Sequence, residues 1–264
     1  METDATQLDE PVNGVLKHLL KVQKRGMGRL AVAHRIKEGD ILVAIDGDPF
    51  LGDTETLKTV FEDFDPAVPD VAWLITFWRE GVFFDVCFDR PLNARFEFAT
   101  PEEALVVSEG AKKLNFHEIE RYQNYEVFRD LRKNAGMHET RPDPLATYAP
   151  LLWMLNHRLY YPMLAISIVY AITVVTHPLL FVLGYVLVCL YVRRAQLNLL
   201  RSYQLFDDKF FWLVVAATSE ADAREACRRI DPEVRFAFDR EPKVQALNRI
   251  QRKKITEQQT SNRS

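Results

Sequence analysis

The sequence predicts an α+β protein that carries an apolar helical hairpin. Strand-like segments surround one amphipathic helix in the first third of the chain. Later, 34 residues from Leu159 to Val192 contain no Asp, Glu, Lys or Arg. Because 27% of all residues are charged and the mean hydropathy is -0.16, the rest of the chain has the composition of a soluble protein.

The uncharged stretch is too long for a single membrane span. A helix of 34 residues would measure about 51 Å, whereas hydrocarbon about 30 Å thick needs roughly 20 residues. Pro178 disfavours helical geometry at His177 in the middle of the stretch. We therefore expect a transmembrane hairpin within residues 149–196, with spans at 155–175 and 178–194. A buried hairpin in a soluble protein is the alternative.

The distribution of basic residues orients this hairpin. Lys and Arg flank the apolar stretch on both sides and are absent from its central turn: Arg132, Lys133, Arg141 and Arg158 precede it, and Arg193, Arg194 and Arg201 follow it. Positive residues stay in the cytoplasm. The N-terminal residues 1–10 are acidic and do not resemble a secretory signal. We expect an inner (cytoplasmic) membrane protein with two spans and both termini in the cytoplasm, and a disordered tail at 1–10.

Residues 11–98 contain strand signals around one helix. Ala31–His34 and Ile41–Ile45 are short apolar segments that suggest strands. Thr54 can cap a helix that extends to Phe64. Two further strands, 71–79 and 82–89, flank Glu80-Gly81, which is a hairpin signal. This segment is therefore predicted to be a β-rich domain.

One run in this domain carries a resemblance to a known family. Residues 38–47 read Glu-Gly-Asp-Ile-Leu-Val-Ala-Ile-Asp-Gly. Together with the following helix and hairpin, this run resembles the PDZ domains of bacterial proteases and secretion proteins over residues 29–92. The resemblance implies peptide capture by strand addition. The groove would be lined by Leu30, Val32, Leu57, Val60 and Phe61. Packing in the core is the alternative role for the same residues.

The remaining segments flank the apolar hairpin. Residues 99–148 are predicted to be a helical connector, with a helix over 101–133. Residues 197–240 are predicted to form a small β-α-β unit, and 241–264 a basic disordered tail. The order from Trp153 through Arg201-Ser202-Tyr203 to a final strand resembles an uncharacterised family of bacterial two-helix inner-membrane proteins over residues 125–238. In this reading, lipid head groups contact His157, Arg158, Arg193 and Arg194.

The chemistry-bearing residues do not form a known catalytic or metal motif. Three cysteines, Cys87, Cys189 and Cys227, are far apart and lack CxxC spacing. His117-Glu118 and His138-Glu139 lack the second histidine of a zinc helix. A net charge of -3 argues against a nucleic-acid binder. We expect no catalytic residues, no metal and no cofactor.

These observations favour a membrane adaptor. The PDZ-like domain would recruit a protein partner in the cytoplasm, while membrane lipids surround the hairpin. The alternative is an accessory or assembly subunit of a larger membrane complex, in which the hairpin is a packing element. A homo-oligomeric channel or transporter is a weaker alternative, because the apolar stretch contains no acidic residue that could relay protons.

The charge distribution makes a direct prediction about topology. Reporter enzymes that are active only in the cytoplasm should work when fused at residue 1 and at residue 264 alike, because both flanks of the hairpin are basic. Activity of a periplasmic reporter at either end would contradict the hairpin topology.

Overall fold

The computed structural model describes residues 19–62, 72–112, 114 and 116–237. Its strands are β1 Leu20–Val22, β2 Ile41–Ile45, β3 Asp48–Pro49, β4 Trp73–Arg79, β5 Val82–Phe88, β6 Phe96–Phe98, β7 Gln123–Arg129, β8 Asn134–Glu139, β9 Phe210–Ala217 and β10 Arg235–Phe236. Its helices are α1 Arg29–Ala33, α2 Thr54–Glu62, α3 Pro101–Ala111, α4 Pro144–Tyr148, α5 Pro150–Asn156, α6 Tyr160–Thr176, α7 Pro178–Phe206 and α8 Glu220–Ile230. The predicted tails, 1–10 and 241–264, lie outside the described residues.

All ten strands belong to one mixed sheet, so the predicted α+β class is confirmed. The strand order is β10-β8-β7-β9-β5-β4-β2-β1-β6, with β3 paired to β2. The β10–β8 pair is parallel and the other pairs are antiparallel. The strand that follows the apolar hairpin, β9, therefore lies between strands that precede it.

The predicted hairpin around Glu80-Gly81 is present as β4 and β5. These strands pair in register from Trp73↔Phe88 to Arg79↔Val82. Glu80 and Gly81 both have positive φ, 48° and 94°. Two such residues give the backbone twist that matches a two-residue hairpin.

Two predicted elements are wrong. The segment Ala31–His34, predicted as a strand, belongs to the short helix α1 and its C-terminal cap, where the His34 N–H donates to the Leu30 carbonyl at 3.0 Å. The predicted helix over 101–133 ends at Ala111, and β7 and β8 follow it. The strand is favoured because β7 finds a partner in β9, which comes from beyond the apolar stretch and cannot be identified from the local pattern.

Residues before and after the apolar stretch share one hydrophobic core. A single cluster of buried side chains includes Leu20, Phe77 and Phe88 of the first segment together with Val215 and Phe236 of the last. Arg35, directly after α1, also places its guanidinium 4.8 Å from the ring centre of Phe211 in β9. The β-α-β elements predicted for 197–240 are therefore built into the large sheet.

The seam between β5 and β9 is completed by a side chain. These strands share one paired position, Asp85↔Ala216. Next to it, the Asn124 side chain of β7 accepts from the Cys87 N–H at 2.9 Å and donates to the Cys87 carbonyl at 2.7 Å. The Asn124 amide thus takes the place of a neighbouring peptide group and satisfies both backbone groups of Cys87.

Helices α6 and α7 meet at His177. The His177 side chain caps α7 by accepting from the Leu179 N–H at 3.1 Å, and Pro178 occupies the first helical position. Among the described residues, α7 is the helix that is long and apolar enough to cross a membrane, and α6 is a shorter apolar helix of 17 residues. Two membrane spans stay a prediction.

Replacing Asn124 tests the seam. Asn124→Ala should lower the free energy of unfolding by about 1–3 kcal/mol, because both backbone groups of Cys87 lose their partner. The measurement is chemical unfolding of the full chain in mild detergent. Asn198→Ala, at an exposed position of α7, is the matched control and should change stability little. Equal effects of the two variants would contradict a structural role for the Asn124 amide.

Candidate functional site

Helix α7 changes character along its length. Its first half is uncharged and exposes large apolar side chains such as Leu183, Val186 and Leu187. Its second half begins at Arg193 and carries charged and polar side chains. From the boundary onward, Val192, Gln196 and Leu200 recur at four-residue spacing and are buried. Because i and i+4 residues share a helix face, one stripe of α7 packs on the rest of the protein. Its neighbours in that cluster are Ala146, Trp153, Met154 and Leu159.

An ion-pair cluster joins this half of α7 to the sheet. Arg201 donates to both carboxylate oxygens of Glu126 on β7, with its Nε 2.8 Å from Oε2. The His138 Nε2 lies 3.2 Å from the same Oε2. Glu126 and His138 are opposite each other in the β7–β8 register, and each is 5% exposed. We refer to Glu126, His138 and Arg201 as the clamp.

The clamp holds Glu126 in its charged form. Burial raises the pKa of this carboxyl, but the hydrogen bonds and charge of Arg201, together with the nearby His138, outweigh burial and lower the pKa to about 2. Glu126 in turn raises the pKa of Arg201. The Phe128 ring stacks on His138, with centroids 5.6 Å apart, and limits the movement of the imidazole.

A cavity of about 420 Å³ lies next to the clamp. Glu126 and Arg201 form one wall. The other walls come from α1, β5 and β7, and they include Leu30, Ala33, His34, Cys87, Arg90 and Asn124. The cavity therefore brings together the segment that resembles a PDZ domain, the connector and helix α7.

The predicted groove residues do not share one surface. Leu57 and Phe61 are buried, and the Phe61 ring contacts Trp73 at 5.1 Å between centroids. Leu30 and Val60 are half-buried against the same core, and Val32 is 51% exposed. Because residues 29–33 are helical, they do not provide the strand edge on which peptide addition was predicted. Of the five predicted residues, Leu30 lines the cavity and Val32 lies on the open surface.

The predicted head-group residues flank the apolar helices. His157 and Arg158 separate α5 from α6, and Arg158 has a positive φ of 60°. Arg193 and Arg194 directly follow the uncharged run of α7 and are exposed. The structure thus places all four where the apolar helices meet the polar part of the molecule. A role in lipid contact stays a prediction.

Neither the clamp residues as a group nor Asn124 were predicted from the sequence. Arg201 is 75 positions from Glu126 in the chain, and the intervening residues include the whole apolar stretch. A local pattern cannot pair residues at this separation. The available signal is a lone glutamate between apolar residues, Tyr125 and Val127, in a segment that forms a strand.

No family model, curated protein or solved structure matches this chain. Both resemblances, to PDZ domains and to bacterial two-helix membrane proteins, therefore stay predictions. Within the part of the chain that the structure describes, no group of three His, Cys, Asp or Glu residues is placed to hold a metal ion.

The clamp predicts a pH dependence of stability. The pKa of Glu126 is lowered from 4.5 to about 2 in the folded chain. Its stabilisation is therefore present above pH 4.5 and is lost as the pH falls towards 2. Glu126→Gln should be less stable than the wild type by about 3 kcal/mol at pH 7, and this difference should shrink between pH 5 and 2.

The measurement is denaturant unfolding of the full chain in mild detergent across this pH range. Glu225→Gln, at an exposed position of α8, serves as the control and should behave like the wild type. A stability difference for Glu126→Gln that does not vary with pH would show that the clamp does not hold a charged carboxylate.

Proposed function

We propose that this chain is an adaptor anchored in the inner membrane, whose cytoplasmic sheet recruits a protein partner. The observation that carries the proposal is the pairing of β7 with β9. These strands stand on opposite sides of the apolar stretch in the chain, and they pair from Gln123↔Ala217 to Arg129↔Phe210. Strands that pair must lie on the same side of a membrane.

This pairing supports an even number of membrane crossings. If α7 crosses the bilayer alone, β7 and β9 lie on opposite sides and cannot bond. A second crossing by α6 restores both flanks to one side. Its 17 residues span about 26 Å, slightly less than the hydrocarbon thickness, which a bilayer accommodates by local thinning. The basic flanks support a cytoplasmic location for that side.

The polar half of α7 supports a fixed orientation of the sheet. The helix continues from the uncharged half into the half that carries Arg201 without an interruption over 29 residues. The clamp joins Arg201 to β7, and Gln196 accepts from the Asp143 N–H at 3.0 Å. The sheet is thus attached to the anchor at two points, so a partner bound to it would be held at a constant distance from the membrane.

The surface around α1 is the best candidate for recruitment. It combines exposed Val32, half-buried Leu30 and the cavity of about 420 Å³. An exposed apolar residue beside a cavity with a few polar groups is typical of a binding site. In this proposal the partner inserts an apolar side chain near Leu30, and His34 and Arg90 contact polar groups of the partner.

Charge placed at Val32 tests this surface. Val32→Arg should reduce the amount of partner that co-purifies with the full chain from native membranes by about tenfold, because a charge replaces an apolar contact. Leu105→Arg is the matched control. Leu105 has similar exposure, 47% against 51%, but lies on α3, which packs on a different core cluster.

Unchanged capture by Val32→Arg, with the fold verified by circular dichroism, would contradict recruitment at α1. Val60→Arg provides a second test of the groove predicted from the sequence. If Val60→Arg abolishes capture and Val32→Arg does not, the recruiting surface lies on α2.

The accessory-subunit alternative is favoured by the exposed apolar side chains of α6 and α7, which have no protein cover among the described residues. These side chains would face lipid in the adaptor and other helices in a complex. A partner that is lost after Leu187→Ala and Val186→Ala, but retained after Val32→Arg, would support the subunit.

A further inference from the structure

A second cavity, of about 400 Å³, lies where the segment after β8 meets α4, α5 and α7. Its walls carry charged and polar side chains on one side and apolar ones on the other. The lining includes Glu139, Arg141, Asp143, His157, Gln196 and Leu197. The clamp and α1 do not contribute to it, so it is separate from the recruiting surface proposed above.

The cavity contains charged side chains of both signs. Glu139 and Asp143 supply carboxylates, and Arg141 and His157 supply nitrogen donors. The His157 Nε2 is 3.9 Å from an Asp143 carboxylate oxygen, which is longer than a hydrogen bond. Among the described residues, Arg141 has no ion pair within 4 Å. Its donors are therefore available to a ligand.

Two features fix the position of the cavity relative to the apolar helices. Gln196 follows Arg193 by three residues, so it lies about 4.5 Å further along the helix axis. Arg193 is the first charged residue after the uncharged run. If the hairpin lies in the membrane as proposed, the cavity opens at the depth of the lipid head groups.

We propose that this cavity binds the phosphoethanolamine head group of a membrane phospholipid. Arg141 and His157 donate hydrogen bonds to the phosphate, and Glu139 and Asp143 accept hydrogen bonds from the primary ammonium. Leu197, a half-buried apolar residue of the lining, packs against the glycerol and the first carbons of the acyl chains. The inference rests on the membrane placement in the proposed function, whereas its chemistry rests on the cavity alone.

The combination of two carboxylates with Arg141 selects this head group over others. A purely anionic head group would bring its phosphate beside two carboxylates without an ammonium to compensate them. A trimethylammonium group carries the same charge but has no N–H to donate to Glu139 or Asp143. A zwitterion with a primary amine satisfies both kinds of partner.

The test is binding of short-chain phosphatidylethanolamine to the purified full chain in mild detergent, measured by calorimetry. The same titration is done with short-chain phosphatidylcholine, with short-chain phosphatidylglycerol and with free phosphoethanolamine. We expect the ethanolamine lipid to bind about tenfold more tightly than the other two lipids. Free phosphoethanolamine should bind more weakly than the lipid, because it lacks the carbons that contact Leu197. Equal affinity would identify a soluble phosphate compound as the ligand and overturn the lipid assignment.

Two variants remove one charge each from the cavity. Arg141→Gln and Glu139→Gln should each weaken binding of the ethanolamine lipid by about tenfold. Glu139→Gln should also reduce the preference over phosphatidylcholine, a readout that a general loss of stability would not produce. The matched controls are Arg132→Gln and Glu225→Gln, which remove exposed charges at positions that do not line this cavity.

Equal binding of all three lipids, or full binding by both cavity variants, would overturn the inference. This failure is distinguishable from failure of the adaptor proposal. The titrations in detergent need no membrane anchor and no protein partner, whereas Val32→Arg is expected to leave lipid binding unchanged.

Discussion

The architecture depends on the pairing of β7 with β9. This pairing closes a loop that contains the entire apolar stretch, and it brings the two ends of that stretch to adjacent strands of one sheet. The other contacts between the parts follow from it. Helix α7 leaves the apolar region and runs directly into β9, so its polar half must lie against β7 and β8. The clamp and the hydrogen bond between Gln196 and Asp143 both lie along this polar half of α7.

The clamp contributes orientation as well as stability. Removing Glu126 from water costs several kcal/mol, and the interactions of its carboxylate with two groups, Arg201 and His138, more than offset that cost. An apolar pair of similar size could hold α7 on the sheet, but it would tolerate sliding of the helix. The two bonds from the planar guanidinium to one carboxylate define both the register and the rotation of α7.

Local chemistry explains which elements the sequence predicts. Glu80-Gly81 defines the β4–β5 hairpin because both residues accept positive φ. Helix α3 starts where Thr100 and Glu103 form a capping box, and Ser219 caps α8 by accepting from the Asp222 N–H. Each signal is complete within a few residues.

The elements that were not predicted depend on distant partners. Strands β7 and β8 contain mixed charges and little apolar alternation, and they are strands because β9 lies beside them. The clamp has the same origin, since Glu126 and Arg201 meet only after the sheet has formed. Helix α1 was predicted as a strand because an apolar run such as Leu30–Ala33 fits a strand and a short helix equally well.

The seam between β5 and β9 has a consequence for the order of biosynthesis. When the ribosome has produced residues up to Glu139, β5 and β7 are complete but the strand that belongs between them has not been made. Both strands then expose open hydrogen-bonding edges, which attract other chains. Because α6 and α7 precede β9 in the chain, the sheet can be completed only after both apolar helices have been made. A chain arrested before β9 would be prone to aggregate.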